Sequence, residues 1–310
     1  MASEHLASVM VEAFMAAVDA GLDVVPVVSD STSTAKIGPF MQRFPERVIN
    51  VGIAEQSLVS VAAGLALGGK IAATCNAAPF LISRANEQIK VDVCYNQANV
   101  KMFGLNAGTS YGPLASTHHS LDDISVMRGF GNVQIFAPAD AIECRQIVDY
   151  ALRYQGPVYI RLDGKALPDV HGAQYRFVPG QVDVLRQGAD LSIVALGSVV
   201  HEAVDAAARL AEQGIEAQVI NLSSIRPLQR DVLLNVLSGT RGVISVEEHN
   251  INGGVGSLVA EVLAEAGLGV PLIRLGIGDG EYAAAGAREP TRALHCIAAA
   301  GIVAAAPRLR

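Results

Sequence analysis

The carboxylate best placed to move a proton in this sequence is Glu55, within residues 48–69 (VINVGIAEQSLVSVAAGLALGG). Val48, Ile49 and Val51 read as a short buried strand and Gly52 as a tight exit. The rest reads as a helix apolar on nearly every side, broken only by Glu55, Gln56, Ser57 and Ser60 in its first two turns. Such a helix belongs in a large core or an interface, where an acid is rarely buried without a partner. Two readings of Glu55 stand side by side. An acid in the first helical turn is stabilised by the helix dipole whatever else it does. A buried one, its pKa raised by desolvation, can share a proton with a basic nitrogen.

The segment STHHSLDD (116–123) offers a second chemical group. His118 and His119 are neighbours on a loop and point in different directions, so one at most faces a given ligand. Histidine suits proton transfer and hydroxyl recognition near neutral pH. Ser120 with Asp123 also reads as a near-capping box for the helix that follows. Gly278-Asp279-Gly280 would suggest half of a Mg²⁺-diphosphate site if Asn residues followed about two dozen positions on. No Asn occurs after Asn252, so it reads as a turn. Residues 247–250 (EEHN) lack HExxH spacing. The GGVG run at 253–256 could bind an anion but reads as a close-packed turn. No metal-ligand set is expected in this chain.

These groups need positioning elements. A length of 310 residues suggests about two domains, and the 51% hydrophobic against 17% charged composition supplies a large core or an interface. A net charge of −7 with no Lys/Arg block argues against nucleic acid or an anionic membrane as partner. No apolar run is long and uninterrupted enough to cross a bilayer, and the N-terminus has no basic region before its apolar residues. Cys75, Cys94, Cys144 and Cys296 are scattered and read as buried reduced thiols, hence a cytoplasmic location.

Helical periodicity covers residues 4–20, 79–96, 121–130 and 140–154, and short apolar runs cover 24–28, 70–75, 100–104, 133–136 and 158–162. From 163 to about 187 the periodicity fails. Alternation then resumes, with strands at 191–196, 217–221, 242–246 and 272–275, and helices at 199–213, 231–237, 255–266 and from near Pro290. The fold class is therefore α/β, two domains each built on a mainly parallel sheet flanked by helices. The division is residues 1–165, a linker over 166–185, and 186–310. Ligands in such sheets bind beyond the strands' carboxyl ends, which directs attention to the loops at 29–34, 52–55, 76–80 and 106–120.

The motifs together resemble one family. VINVGIAEQ (48–56), SRANEQIKVD (83–92), THHSLDDISVMR (117–128), FAPADAIECRQ (136–146) and GPVYIRL (156–162) are similar to the pyrimidine-binding domain of transketolases. SIRPL (224–228) and VEEHNINGGVGS (246–257) resemble the transketolase C-terminal domain, and order and spacing resemble the C-terminal section of a split transketolase. The resemblance implies a subunit of a thiamine diphosphate-dependent enzyme transferring a two-carbon ketol unit from a ketose donor to an aldose acceptor. It implies a partner subunit carrying the diphosphate-binding domain and most Mg²⁺ ligands, with two copies of each. By the same matching, Glu55 hydrogen-bonds the pyrimidine ring and drives the tautomer shift of its amino group, which then deprotonates the thiazolium carbon. His118 matches the histidine that bonds sugar oxygens, Asp30 lies near the cofactor, and Asn106 and Thr34 belong to the substrate side.

Departures from the family pattern are specific. Ala78, Leu81 and Arg84 stand where aromatic residues usually surround the pyrimidine, with Phe80 one position off as the candidate stacking ring. Leu114 replaces an Asp tied to sugar hydroxyls, Asn106 stands where a His is frequent, and Gly164 stands where a phosphate-binding Arg is common. Hydroxyl recognition is highly selective because mismatched polar groups go unpaired, so these changes point to an altered substrate. Competing readings are a decarboxylating relative, such as a 1-deoxyxylulose-5-phosphate synthase or the beta chain of a 2-oxoacid dehydrogenase, and a non-catalytic paralogue.

Overall fold

A computed structural model of the chain describes residues 4–309; residues 1–3 and 310, which the two outer units of the sequence division include, lie outside the described residues. The strands are β1 (Val24–Val28), β2 (Ile49–Asn50), β3 (Ile71–Ala77), β4 (Val100–Leu105), β5 (Gln134–Phe136) and β6 (Val158–Arg161) in the first half. Then come β7 (Asp183–Arg186), β8 (Leu191–Ala195), β9 (Ala217–Asn221), β10 (Ser224–Arg226), β11 (Val243–Asn250) and β12 (Leu272–Ile277). They form a seven-stranded sheet ordered β10-β5-β6-β4-β3-β1-β2 and a five-stranded sheet ordered β12-β11-β8-β9-β7. Only the β10–β5 and β7–β9 pairs are antiparallel. Every residue of β1, β3, β4, β6, β8 and β9 is buried, as a parallel sheet covered on both faces requires. The first four α-helices are α1 (Leu6–Asp19), α2 (Gly38–Arg43), α3 (Glu55–Leu67) and α4 (Ala78–Arg84).

The two sheets share a core. One contiguous apolar cluster includes Leu58 and Ile135 of the first half and Val194, Ile220 and Leu258 of the second. The second unit also lends the first sheet a strand, since β10, from the SIRPL segment assigned by sequence to the second unit, pairs with β5. The Arg226 guanidinium extends that join by donating to the Arg128 and Phe130 carbonyls.

Four local expectations are corrected. The stretch 79–96 is not one helix: α4 stops at Arg84, Ala85 kinks (φ −102°, ψ 24°), and the chain resumes as Asn86–Gln88 and a π-helical Ile89–Tyr95. Ser120 and Asp123 form no capping box. The helix is Asp123–Arg128 with Asp122 at its N-cap, because the Asp123 carboxylate is buried and taken by Tyr159 (2.6 Å) and Arg161 (2.9 Å). Cys296 is exposed, unlike the other three cysteines. The segment Arg288–Leu309 is apolar and long enough on average to cross a membrane. It folds instead as two short helices, Arg288–Leu294 and Ala299–Ala305, and buries Arg288 and Arg292 in ion pairs.

The stretch between the sheets is held rather than loose. His171 places Nδ1 2.8 Å from Asp140 and Nε2 2.8 Å from Asp183, joining the first domain to the edge strand β7. Burial pushes the imidazole down, but the two carboxylates outweigh it and raise it to about 10. Glu143, His171 and Asp183 bring possible ligand atoms within 4.8 Å of one another. Both imidazole nitrogens are already engaged, and Glu143 accepts from Asn221 (3.0 Å), Tyr175 (2.7 Å) and the Ala139 N–H (2.7 Å). The cluster is a hydrogen-bonded ion network. His171→Gln should cost about 3–5 kcal/mol at neutral pH, as breaking a buried pair does. A group raised from 6.5 to about 10 gives stability that is complete below 6.5 and lost as pH climbs toward 10. Urea midpoints across that window should fall for the wild type and not for His171→Gln; parallel curves would remove His171 from the stability account.

Candidate active site

Glu55 is the first residue of α3 and only 3% exposed. The sharp turn at Gly52 (φ +74°) lets β2 run directly into α3 and puts this side chain at the carboxyl edge of the sheet. Arg84, the last residue of α4, donates from Nη1 to Glu55 Oε2 at 2.7 Å. Asn76, buried near the end of β3, donates from Nδ2 to Glu55 Oε1 at 3.3 Å. Ser31, on the loop after β1, donates to Asn76 Oδ1 at 2.7 Å, which fixes the amide's orientation. Burial raises the carboxyl of Glu55, but Arg84, its own backbone N–H and Asn76 together leave it below the ordinary value. In this chain by itself Glu55 is ionised. The raised pKa that burial alone suggests is not what this carboxylate has.

Aromatic groups continue the line. The Arg84 guanidinium lies 4.7 Å from the Phe80 ring centroid. Phe80 meets the His118 imidazole edge-on at 5.1 Å, and Tyr111 meets it from another side at 5.4 Å. Phe80, Ser83, Arg84, Ser116, Thr117 and His119 are among the residues lining a cleft of about 360 Å³. Of the two histidines, His118 is the half-buried one facing the aromatic pair. His119 is buried, its Nε2 3.1 Å from the Gly112 carbonyl, and burial lowers its pKa. A larger cavity of about 600 Å³ lies between α1, α2 and the loop after β1 and is lined by Thr32, Ser33 and Lys36. It contains no member of the Glu55 cluster, so the chemistry does not lie in this larger space.

The remaining sequence candidates lie around this cluster. Asp30 is exposed, with φ +60°, and its backbone N–H bonds Asn50 Oδ1 at 3.1 Å. That amide oxygen also accepts from the Gly52 N–H at 3.0 Å and so ties the ends of β1 and β2 together. The neighbour Ser31, rather than Asp30, joins the Glu55 chain. Thr34 is half-buried on the same loop and lines neither cleft. Asn106, at the end of β4 with φ +53°, packs its amide on Gly164, where any Cβ would collide with it. The missing Arg at 164 is thus matched by Asn106. Lys165 sits 3.6 Å from Glu289 at the surface.

Sequence reading points to the loops that hold Ser31 and Asn76 but singles out neither residue, and it notes Arg84 only as an absent aromatic. It also expects no G-x-S-x-G elbow, although Gly108-Thr109-Ser110-Tyr111-Gly112 has that spacing. Ser110 donates to the Ala107 carbonyl (2.7 Å) and accepts from the Gly164 N–H (3.2 Å), so it serves the loop. The glycine run before Val255 is the close-packed turn expected: Glu247 accepts from the Val255 and Gly256 N–H groups at 2.7 and 2.9 Å.

A buried carboxylate held by a guanidinium and an amide, with Arg84 also lining the cleft walled by Phe80, stands at the carboxyl edge of a parallel sheet. Fold and site together define a two-domain α/β protein with a buried carboxylate at its candidate centre. Family descriptions agree, with transketolase, pyrimidine binding domain, matching residues 5–169 and transketolase, C-terminal domain, matching residues 180–302. The chain belongs to the transketolase family, corresponding to the C-terminal section of a split transketolase. One of the subunits of an apulose-4-phosphate transketolase from Actinobacillus succinogenes is 67% identical over 301 residues, 97% of each chain. A 6-deoxy-6-sulfo-D-fructose transketolase subunit from Clostridium sp. is 36% identical over 256 residues, 83% of this chain and 79% of that one. A solved split gene transketolase, described as an inactive beta4 tetramer, superimposes with a TM-score of 0.88 at 35% identity, covering 99% of this chain and 98% of that one. Membership implies a transferase-type enzyme that depends on thiamine diphosphate, and the split relatives imply a partner subunit.

Proposed function

We propose that this chain is the pyrimidine-binding subunit of a two-subunit transketolase that moves a two-carbon ketol unit from apulose 4-phosphate to an aldose acceptor. The observation that carries the activity is the placement of Glu55, buried, held on both oxygens and joined through Arg84 to Phe80, whose ring meets His118. The donor rests on the 67% identical relative from an apulose-4-phosphate transketolase. Leu114, 51% exposed in place of a hydroxyl-binding Asp, and the Asn106–Gly164 pairing are consistent with a sugar unlike the ordinary ones.

Thiamine diphosphate, when bound, supplies the electron sink for the transferred carbon unit. Glu55 holds a proton against the pyrimidine nitrogen, and Phe80 offers the ring a face. His118 is set up for a hydroxyl. Thr117 donates its single hydroxyl proton to the Leu114 carbonyl (2.9 Å), so it accepts from His118 Nδ1 (2.9 Å). That tautomer leaves Nε2 as an acceptor for a sugar O–H. The diphosphate and Mg²⁺ are assigned mainly to the partner, in an assembly of two of each subunit. In support, Asp279 of the GDG turn is held by Asn252 at 2.6 Å and no downstream Asn completes a metal set.

The test is coexpression with a subunit carrying the GDG…N diphosphate-binding domain. Ketol transfer from apulose 4-phosphate is expected from the pair and not from this chain by itself. Carbon dioxide release from pyruvate would replace this reading with a decarboxylating one. Tight Mg²⁺-dependent cofactor binding by the lone chain would refute the split site.

A further inference from the structure

Arg84 stands at the centre of the cluster, yet no part of the reaction so far uses it. Its Nη1 is 2.7 Å from Glu55 Oε2 and its guanidinium is braced on Phe80 at 4.7 Å, while half of its own side chain remains exposed. The other charged side chains on elements packed against α3 are Glu87, Lys90 and Asp92 beyond α4 and Lys101 on β4. Asp92 accepts from Ser60 Oγ at 2.6 Å. Lys101 is bonded to the Tyr154 and Gly156 carbonyls, both at 2.7 Å. His118 reaches the cluster only across Phe80. Among the described residues, Arg84 alone brings a charge into bonding contact with Glu55.

We propose that Arg84 is a positioning residue that holds Glu55 as an oriented carboxylate until the cofactor ring arrives, so that binding draws in from solvent the proton the two then share. The inference rests on the reading of Glu55 as the ring's proton partner. A carboxylate and a neutral ring nitrogen are both acceptors and repel at hydrogen-bond distance; one added proton turns them into an O–H···N pair. Arg84 keeps the free site in the carboxylate form, and Phe80 gives the guanidinium a place to rest beside it. In this position an aromatic residue would contribute a contact face, whereas Arg84 sets the protonation state with which the ring is met.

Calorimetric titration of thiamine diphosphate into the assembled two-subunit enzyme, in buffers of different ionisation enthalpy, measures protons taken up per site. The wild type is expected to take up about one proton at neutral pH, with uptake declining toward acid as the free carboxylate becomes protonated beforehand. Arg84→Met should move the midpoint of that decline to higher pH, and Arg84→Lys should restore it. Glu55→Gln should abolish the uptake. Coincident profiles for wild type and Arg84→Met, or a loss of affinity by one factor at every pH, would overturn the role of Arg84. Unchanged uptake in Glu55→Gln would overturn the underlying reading of Glu55 instead.

Discussion

Glu55→Ala in the assembled enzyme is expected to lower kcat by about 10²–10⁴-fold, the usual contribution of a positioned acid–base group, with the subunits still associated. The chemical part of the argument is that no other carboxylate replaces it. Asp30 is exposed on the loop after β1, and the nearest polar partners of Glu55 are a guanidinium and an amide. The structural part concerns what the substitution leaves behind. Arg84 is 50% exposed on its side chain, so losing its partner strands no buried charge, and half-exposed ion pairs contribute about 0–1 kcal/mol. The cavity is small and sits at the edge of the sheet. Steady-state rates with gel filtration of the same preparation separate the two effects. Activity within a few-fold of wild type would remove Glu55 from the mechanism, and dissociation would make it an assembly residue.

The same residue shows how far sequence reasoning reached. Buried parallel strands are legible because Val, Ile and Ala recur in short blocks between helical stretches, and residues 24–28, 100–104 and 217–221 came through on that ground. β7 and β10 did not. Each is an antiparallel edge strand of three or four residues that includes an arginine, Arg186 or Arg226, with no alternation to read. Glu55 stood out because it interrupts an apolar helix. Asn76 carried no such contrast, being one polar residue at the end of an apolar strand whose role exists only once β3 and α3 are side by side. Arg84 shows the opposite problem: the resemblance marked its position as a departure, which hid that a cation there changes the ionisation of Glu55. His118 was separated from His119 by likeness to the family; in the structure the His118 ring meets Phe80, while His119 bonds the Gly112 carbonyl and lines the cleft. Periodicity carried no information about the ion networks between the domains, because their members lie far apart in the chain.

Glu248, in one of those networks, should give a loss of stability as large as that at His171. It is 1% exposed and accepts from Thr109 through both the backbone N–H (3.2 Å) and the hydroxyl, from Ser198 Oγ at 2.7 Å, and from Arg292 Nη2 at 2.5 Å. Arg292 is itself 1% exposed, and its other carboxylates, Asp163 and Glu202, stand off at 3.9 and 3.8 Å. Glu248→Ala therefore leaves a buried guanidinium without close compensation, a cost of about 3–5 kcal/mol against a total stability of about 5–15 kcal/mol. Glu248→Gln keeps one acceptor oxygen, which can serve Thr109 or Ser198 with Arg292 but not both sides, and should cost less than Glu248→Ala. Burial pushes the Glu248 carboxyl up, but the charge and hydrogen bonds of Arg292, with Thr109 and Ser198, bring it down to about 2. For a depressed carboxyl the contribution is complete above the ordinary value of 4.5 and lost as pH falls toward 2. Urea midpoints should thus separate wild type from Glu248→Gln most at neutral pH and converge in that acid window; a constant separation would mean that packing, not charge, carries the effect. The consequence reaches the site. Thr109 belongs to the loop that Gly108 and Ser120 close on themselves by paired backbone hydrogen bonds of 3.0 Å, and that closed loop carries His118. Releasing Glu248 loosens the link between this loop and the second domain, so Glu248→Gln should raise the KM for the sugar while leaving cofactor affinity near wild type. The second domain, which contributes no residue to the Glu55 cluster, would then act on the reaction through one buried carboxylate.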